Sequence, residues 1–379
     1  MRKNYLLTPG PTPLPPEVCE AMAQPIIHHR TPQFQAVLKE VTEGLRYVFQ
    51  TKHDVFILAS SGTGAMEAAV VNLVSPGDTV LTVEGGKFGE RWTELCLAYG
   101  IEAEVIKVEW GKAVDPAIIK EKLRNAKSKI KAVFTTLCET STGVTNDIKA
   151  IAEVVKNTEA VLVVDAISGL GAIDLKTDEW GCDMVISGSQ KGLMLPPGLG
   201  FISVSPKALK LIEGSRCPRY YFDLRAAKKA LDKTDTPFTP AISLIIALNA
   251  ALKMMKQDGL EAIFARHKKM ADATRAAMKA LGLPLFAPTA ASDVVTAACL
   301  PEGIDGEKLV KTMRDTYGVT IAGGQAELKG KVLRIAHMGF IEEFDIILAI
   351  SCLEKVLAKM GYAFQLGAGV GAAQKVFLG

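Results

Sequence analysis

The chain has 379 residues, of which 49% are hydrophobic and 22% charged, and its 44 basic and 41 acidic residues leave a formal net charge of +3. This length predicts about two domains with a large apolar core, and the composition excludes a disordered chain, a collagen-like repeat and a small disulfide scaffold. No run of five like charges occurs, so we expect no nucleic acid or anionic lipid partner, but small molecules or a second copy of the chain.

The first 25 residues are rich in proline and lack the apolar run of about 7 to 15 residues that marks a signal peptide. We expect residues 1–25 to be extended. The most apolar stretch, residues 241–255, is too short to span a bilayer and predicts a buried helix. The seven cysteines include no C-x-x-C pair, which favours reduced thiols in a cytoplasmic protein. The five histidines include no H-E-x-x-H, and we expect no metal site.

From residue 53 onward, short apolar runs alternate with helical patterns. The runs at 55–60, 79–84, 103–108, 131–136 and 160–166 are apolar on nearly every residue. Such strands are buried on both faces, which predicts a parallel sheet between helices in an α/β core. Two further candidates, 183–189 and 198–205, have no full helix between them, so we expect an antiparallel or reversed edge.

A second, smaller unit follows the long helical stretch 240–281. Its pattern indicates strands near 294–299 and 332–336 and helices near 305–316 and 342–359. We therefore divide the chain into an N-terminal segment (1–25), a large domain (26–260) and a small α+β domain (261–379). The Gly/Ala-rich stretch 366–373 receives no interpretation from the sequence.

The motif SSGTGA at residues 60–65 closes one apolar run and opens a helix. Free N–H groups and the helix dipole at such a junction attract an anion, and glycine lets a phosphate approach closely. The same residues also suit a tight strand-to-helix turn. The motif matches neither of the common nucleotide-binding glycine patterns.

Two charged residues follow other apolar runs. Asp165 ends the run 161–164, at the sheet edge where open α/β folds bind ligands. A helix cap or a Mg²⁺-binding acid is the alternative. Lys191 follows the run 183–187, and partial desolvation would make its neutral amine a nucleophile; a solvated loop lysine is the alternative.

Taken together, an anion cradle, an acid and a lysine match one cofactor. Pyridoxal 5′-phosphate has a phosphate for the anion cradle, a ring nitrogen that an acid keeps protonated, and an aldehyde that a lysine traps.

The chain resembles the class V aminotransferases of fold type I, and especially the alanine/serine–glyoxylate (or pyruvate) aminotransferase group. The resemblance runs from residue 6 to about 340 and includes LLTPGPTPLPPEV, IIHHRTPQF, SSGTGAMEAAVVNLVSPGD, ETSTGV, VVDAISGLGAIDL, DMVISGSQKGLMLPPGLGFISVS, PAISL and VLRIAHMGF. It implies a large domain with a mostly parallel seven-stranded sheet sandwiched by helices, and a smaller C-terminal α+β domain.

The resemblance also implies roles for individual residues. Lys191 is expected to bind the cofactor covalently, and Asp165 to bond its ring nitrogen. Ser61, Gly62, Thr63 and Gln190 correspond to the phosphate cradle. The remaining correspondences are Phe88 stacked on the ring, Thr140 near the phenolic oxygen, Arg334 on the substrate α-carboxylate and Gly10 in the loop that lines the pocket. Such enzymes are homodimers with shared sites, and residues 236–239 loosely resemble the loop that a partner supplies.

The expected reaction moves an amino group from alanine or serine to glyoxylate or pyruvate, by a ping-pong mechanism through Lys191. Three alternatives remain: an aspartate or other amino-donor transaminase, a lyase or desulfurase, and a non-catalytic hydrogenase-associated subunit that retains the fold. A desulfurase needs a reactive cysteine on a mobile loop, whereas Cys299 and Cys352 lie in apolar periodic runs. His28, His29 and Arg30 fit either the mouth of the site or a surface turn.

Overall fold

The computed structural model describes residues 3–379. Its strands are β1 (Tyr5–Leu6), β2 (Asp54–Leu58), β3 (Thr79–Glu84), β4 (Glu102–Lys107), β5 (Ile130–Thr136), β6 (Cys138–Glu139), β7 (Val144–Thr145), β8 (Val161–Asp165), β9 (Met184–Gly188), β10 (Gly200–Val204), β11 (Val295–Cys299), β12 (Val319–Thr320), β13 (Ala322–Gly323) and β14 (Val332–Ala336).

The helices are α1 (Pro16–Met22), α2 (Pro32–Phe49), α3 (Gly62–Leu73), α4 (Lys87–Ala98), α5 (Pro116–Asn125), α6 (Ile148–Val155), α7 (Thr177–Trp180), α8 (Pro206–Gly214), α9 (Leu224–Leu231), α10 (Ile242–Asp258), α11 (Leu260–Ala280), α12 (Gly306–Tyr317), α13 (Glu343–Lys359) and α14 (Ala368–Leu378), with a 3₁₀ turn at Ala326–Leu328. Within residues 3–379, no helix combines the length and apolar character needed to cross a membrane.

The main sheet has seven strands in the order β2-β10-β9-β8-β5-β3-β4. The strands β4, β3, β5, β8 and β9 pair in parallel, whereas β10 is antiparallel to both of its neighbours, β9 and β2. The expectation of an antiparallel strand is confirmed, but its position at an edge is wrong. β10 turns back beside β9 because no helix separates them, and β2 then pairs along its other side and takes the edge.

Both faces of this sheet are buried, as the uninterrupted apolar runs predict. In β8, Leu162 and Val164 pack into one apolar cluster with side chains of α2, α6 and α10. Val161 and Val163 point the other way, into a second cluster with side chains of α3, α4 and α8. Successive strand residues alternate between faces, so two helical layers enclose the sheet.

The smaller unit contains the antiparallel sheet β11-β14-β13. Helices α11, α12, α13 and α14 bury apolar side chains against it. Helix α11 contributes Ile263 to the large-domain core and Met270 to the core of the smaller unit. The domain boundary near residue 260 stays a prediction.

The N-terminal segment is not extended throughout, which corrects the sequence-based expectation. Residues 16–22 form α1, which packs against α10. Pro16 stands at the first helical position, where its fixed φ favours a helix and its missing N–H costs nothing. Val18 is fully buried in the large-domain core. Ahead of this helix, β1 pairs in parallel with β12 of the smaller unit.

The Gly/Ala-rich stretch 366–373 leads into α14, which packs against α11 and α13. The buried Glu354 carboxylate accepts hydrogen bonds from the backbone N–H groups of Gly367 (2.7 Å), Gly369 (2.8 Å) and Val370 (3.1 Å). The first N–H groups of a helix have no partner inside it, and a carboxylate there also meets the positive end of the helix dipole. Glu354 of α13 therefore links this helix to the N-terminus of α14 through hydrogen bonds.

We expect Glu354→Ala to lower the free energy of unfolding by roughly 2 to 4 kcal/mol, because it leaves several N–H groups near a buried helix end without acceptors. Denaturant unfolding measures this. Glu354→Gln, which keeps one acceptor oxygen, should lose less. Glu302→Ala removes an exposed carboxylate and should stay within about 0.5 kcal/mol. Equal losses for Glu354→Ala and Glu302→Ala would contradict this role.

Candidate active site

One cavity lies at the edge of the main sheet where β2, β8 and β9 end. It is lined by Ser61, Gly62, Thr63, Phe88, Arg91, Cys138, Asp165, Ile167, Ser168, Gln190 and Lys191. Seven of the residues selected from the sequence line it together: Ser61, Gly62, Thr63, Phe88, Asp165, Gln190 and Lys191. Because β2, β8 and β9 run in one direction, the residues after them converge at one edge.

The cradle at the start of α3 has open hydrogen-bond donors. The helix begins at Gly62, and the side chain of its N-cap, Ser61, makes no capping hydrogen bond. The N–H groups of Gly62 and Thr63 have no acceptor among the described residues. Gln190 lines the same space; its buried Oε1, which is an acceptor, has no partner among the described residues, and its side-chain NH₂ is the group that could donate to an anion. Unpaired donors at a helix N-terminus form an anion site.

Asp165 is the last residue of β8 and is 3% exposed. Its Oδ1 accepts a hydrogen bond from the Ile167 N–H at 2.8 Å. Burial raises the pKa of this carboxyl to about 7, because a charged carboxylate is poorly solvated inside a protein. A cation placed against Asp165 would hold it in its ionised form.

Lys191 lies just beyond β9 and is enclosed by the N-terminal segment. Its Nζ donates to the Pro9 carbonyl, and Thr12 Oγ1 donates to the Lys191 carbonyl at 3.0 Å. Gly10 has a φ of +122°, and a Cβ there would lie 2.5 Å from Lys191 Nζ, so no larger residue fits. Burial lowers the pKa of Lys191 to about 8, so a far larger fraction of this amine is neutral near physiological pH than in an ordinary lysine.

Phe88 is held at the start of α4 by a buried glutamate that the sequence analysis did not select. Glu139 Oε2 accepts hydrogen bonds from the N–H groups of Phe88 (3.1 Å) and Gly89 (2.9 Å). Burial raises the pKa of Glu139, whereas its hydrogen bonds with Ser141 act in the opposite direction. Its position directly before Thr140 in the motif ETSTG was the available signal.

Arg334 and Thr140 do not line the cavity but contact each other beside it. Arg334, on β14, is 4% exposed, and it donates from Nη1 to the Thr140 carbonyl (2.7 Å) and from Nε to the Gly323 carbonyl (2.9 Å). Its Nη2 has no protein partner among the described residues. Thr140 Oγ1 lies 3.5 Å from the hydroxyl of Ser168, which lines the cavity. Burial lowers the pKa of Arg334 to about 10, so it stays charged at neutral pH.

Four lining residues were missed from the sequence: Arg91, Cys138, Ile167 and Ser168. Arg91 Nη1 donates to Thr63 Oγ1 at 3.2 Å, and its guanidinium carbon lies 5.2 Å from the centre of the Phe88 ring. Residues three apart share a helix face, so the position of Arg91 after Phe88 was a signal for it. Ser168, three residues after Asp165, lay within the quoted motif VVDAISG.

His28, His29 and Arg30 lie outside this cavity. The two imidazole rings stack with their centres 4.7 Å apart. Arg30 forms an ion pair with Asp235 and donates to the Thr236 carbonyl at 3.2 Å. Arg30 therefore contacts the start of the segment 236–239, and the role of these three residues at an active site stays a prediction.

A buried acid, a desolvated lysine and an open anion cradle at one sheet edge define a fold type I enzyme of the pyridoxal-phosphate class. The profile of the family described as Aminotransferase class-V matches residues 4–338. The chain belongs to this family of aminotransferases, and its cofactor is pyridoxal 5′-phosphate. The residues fit that group: the free N–H groups suit its phosphate, the unneutralised Asp165 its ring nitrogen, and Lys191 its aldehyde.

Several relatives match almost the whole chain. The soluble hydrogenase 42 kDa subunit of Anabaena cylindrica is 47% identical over 99% of both chains. The L-aspartate–glyoxylate aminotransferase of Paracoccus denitrificans is 39% identical over 98% of this chain and 96% of that one. The serine–glyoxylate aminotransferase of Methylorubrum extorquens is also 39% identical, over 98% and 95%. The crystal structure of ureidoglycine–glyoxylate aminotransferase from Bacillus subtilis superposes with a TM-score of 0.95 at 31% identity, covering 100% of this chain and 99% of the other.

We expect Asp165→Asn to lower kcat by about a hundredfold or more while most of the cofactor is retained. The amide cannot balance a protonated ring nitrogen, whereas the cradle at Ser61 still binds the phosphate. Steady-state kinetics and cofactor content per chain measure the two effects. Asp183→Asn is the control, because it changes a buried carboxylate at the end of the sheet where β9 begins, away from the cavity. Equal losses of turnover and cofactor would indicate that Asp165 is mainly structural.

The lowered pKa of Lys191 predicts the pH dependence of cofactor capture. Only the neutral amine attacks an aldehyde, so the rate of covalent binding should rise with pH and level off above about pH 8, instead of rising through the usual lysine pKa of 10.5. Stopped-flow absorbance after mixing cofactor-free protein with pyridoxal 5′-phosphate measures the rate. Lys191→Ala should show no covalent band. A rate that still increases beyond pH 10 would disprove the assignment.

Proposed function

We propose that the chain transfers the amino group of a small neutral amino acid, serine or alanine, to glyoxylate or pyruvate. The reaction is ping-pong: the donor leaves as its 2-oxo acid before the acceptor enters. Glyoxylate in the names of three of the relatives described above supports the acceptor. The observation that carries the assignment of an amino acid substrate is Arg334, a buried guanidinium beside the cavity whose Nη2 has no partner among the described residues.

Each residue has a distinct task in this reaction. Arg334 is held by Thr140 and Gly323, and its free Nη2 binds the α-carboxylate of the substrate. Lys191 Nζ would take the proton from the substrate Cα, and the resulting ammonium would hold that proton for delivery to the carbon that carried the cofactor aldehyde. When bound, the cofactor supplies a protonated ring that withdraws electrons from Cα. Asp165 keeps that ring nitrogen protonated, and Phe88 provides an aromatic face for it.

A dicarboxylic donor would need a second cation for its distal carboxylate, because a desolvated carboxylate without a partner costs several kcal/mol. Arg30, the candidate from the sequence, is already paired with Asp235 in this chain. This pairing favours small neutral donors. The relative named L-aspartate–glyoxylate aminotransferase makes a dicarboxylic donor the alternative to test.

Two other functions are disfavoured by the site. A desulfurase needs a reactive thiolate, but Cys352 is buried in α13, and burial raises its pKa to about 11. Cys299 lies within β11, and burial raises its pKa as well. One relative is named a soluble hydrogenase subunit. A non-catalytic hydrogenase-associated subunit would have no physical need for the buried side chains of Asp165 and Arg334.

We also propose that two copies form a dimer in which residues 236–239 of each complete the site of the other. These residues do not line the cavity of their own chain. Thr236, Pro237, Phe238 and Thr239 instead line an apolar pocket beside the exposed Tyr221.

The donor preference is tested with a panel of amino acids at one glyoxylate concentration, assayed by formation of the 2-oxo acid. Serine and alanine should exceed aspartate and glutamate in kcat/KM by about tenfold or more. Arg334→Lys should raise KM for every donor, because an ammonium lacks the planar fork that grips a carboxylate. Lys39→Ala, which removes an exposed cation of α2, is the control and should leave serine and alanine kinetics unchanged.

Two results would overturn this assignment. If aspartate is the best donor and Arg30→Ala selectively removes that activity, Arg30 is the second clamp. If the purified chain binds the cofactor but transfers no amino group from any donor, the aminotransferase reaction itself is wrong for this chain.

A further inference from the structure

The charge of Arg91 has no function in the reaction proposed above. The residues that line the cavity include three charged side chains, Arg91, Asp165 and Lys191. Asp165 is assigned to the ring nitrogen. Lys191 must be neutral to act as a nucleophile, so Arg91 is the cation among these lining residues that keeps its charge throughout.

The contacts of Arg91 leave most of its donors free. One of its five N–H donors is used, by Nη1 toward Thr63 Oγ1 at 3.2 Å. Its guanidinium packs over the Phe88 ring, which fixes its plane without using a hydrogen bond. No carboxylate among residues 3–379 lies within salt-bridge distance of it, although Asp or Glu partners hold many of the other arginines.

The position of Arg91 indicates what it binds. Thr63 belongs to the first turn of α3, where the open N–H groups form the cradle. The cradle otherwise offers only neutral donors from Ser61, Gly62, Thr63 and Gln190, and a helix N-terminus carries only about half a positive charge. A phosphate dianion at that point lacks a full counter-charge unless Arg91 supplies it.

We propose that Arg91 binds the phosphate group of the cofactor and is the cation of the cradle. This inference rests on the assignment of Ser61, Gly62 and Thr63 as the phosphate site. A substrate carboxylate is the other anion that a guanidinium could bind, but Arg334 lies beside Thr140 and Ser168, whereas Arg91 is tied to Thr63. Arg91 would therefore contact the phosphate of the cofactor, whereas Arg334 would contact the substrate.

The test compares two ligands that differ only in the phosphate. Isothermal titration of the full-length protein, freed of cofactor, gives Kd values for pyridoxamine 5′-phosphate and for pyridoxamine, neither of which can react with Lys191. Arg91→Met should raise the Kd of the phosphorylated ligand by about tenfold or more and leave the Kd of pyridoxamine within about twofold. Arg91→Lys, which keeps the charge, should fall between them. No amino donor is present, so a wrong donor assignment does not affect the result.

Lys87→Met is the matched control, because it removes a cation from the same helix, and that cation pairs with Glu90 outside the cavity. It should change neither Kd. Equal weakening of both ligands by Arg91→Met, or weakening of neither, overturns the proposal. So does a selective rise in KM for aspartate with an unchanged Kd for pyridoxamine 5′-phosphate.

A second comparison separates direct binding from an effect through Thr63. In a Thr63→Val background, Arg91→Met should still weaken binding of pyridoxamine 5′-phosphate. If the effect of Arg91→Met disappears in that background, Arg91 merely orients the Thr63 hydroxyl and the proposal is wrong. If Arg91→Met does not fold, Arg91→Lys must show the same phosphate-selective weakening for the proposal to stand.

Discussion

The site depends on the burial of one carboxylate, Asp165, at the end of the central strand β8. A charged group there is poorly solvated, and burial raises its pKa to about 7. Such a group is retained at little cost only when a cation occupies the space beside it. Lys191 follows the neighbouring strand β9, and the anion cradle follows the edge strand β2. Both therefore line the same cavity as Asp165. The arrangement therefore fits a ligand that carries both a cationic ring and an anion.

Distant segments of the chain enclose Lys191. The N-terminal segment covers it through Pro9, Gly10 and Thr12. Beside Thr12, a Cβ on Gly339 would lie 3.2 Å from the Lys191 carbonyl and 3.2 Å from the Thr12 side chain. The turn at Gly339 is fixed by His267 Nε2, which accepts the Gly339 N–H at 3.1 Å, and burial lowers the pKa of His267 to about 3, so the ring is neutral and can accept. Exclusion of water by these segments strengthens the electrostatic interactions inside the site.

Membership of one family does not decide between the activities that its members are named for. The relatives described above include one hydrogenase subunit and aminotransferases named for different donors. A chain that performs a reaction keeps buried charged residues that folding alone does not require. A chain without that reaction has no need of them. Asp165, Lys191 and Arg334 are all buried or half-buried in this chain, and no carboxylate within residues 3–379 pairs with Arg334. This supports a chain that performs the chemistry.

The sequence by itself determined the local features of this protein. Apolar runs such as 161–164 indicate strands that are buried on both faces. The acid, the lysine and the glycine motif that follow such runs indicate the site. Both features can be recognised from sequence because strand burial and helix starts depend on residues that are close together in the chain. Tertiary structure alone decided which strand lies beside which, and so placed β10 inside the sheet. It also brought Arg91 to Thr63, Arg334 to Thr140 and Glu354 to the Gly/Ala-rich helix. These contacts join residues that are from 13 to 194 positions apart, and no local pattern encodes which distant side chain will meet a given backbone group.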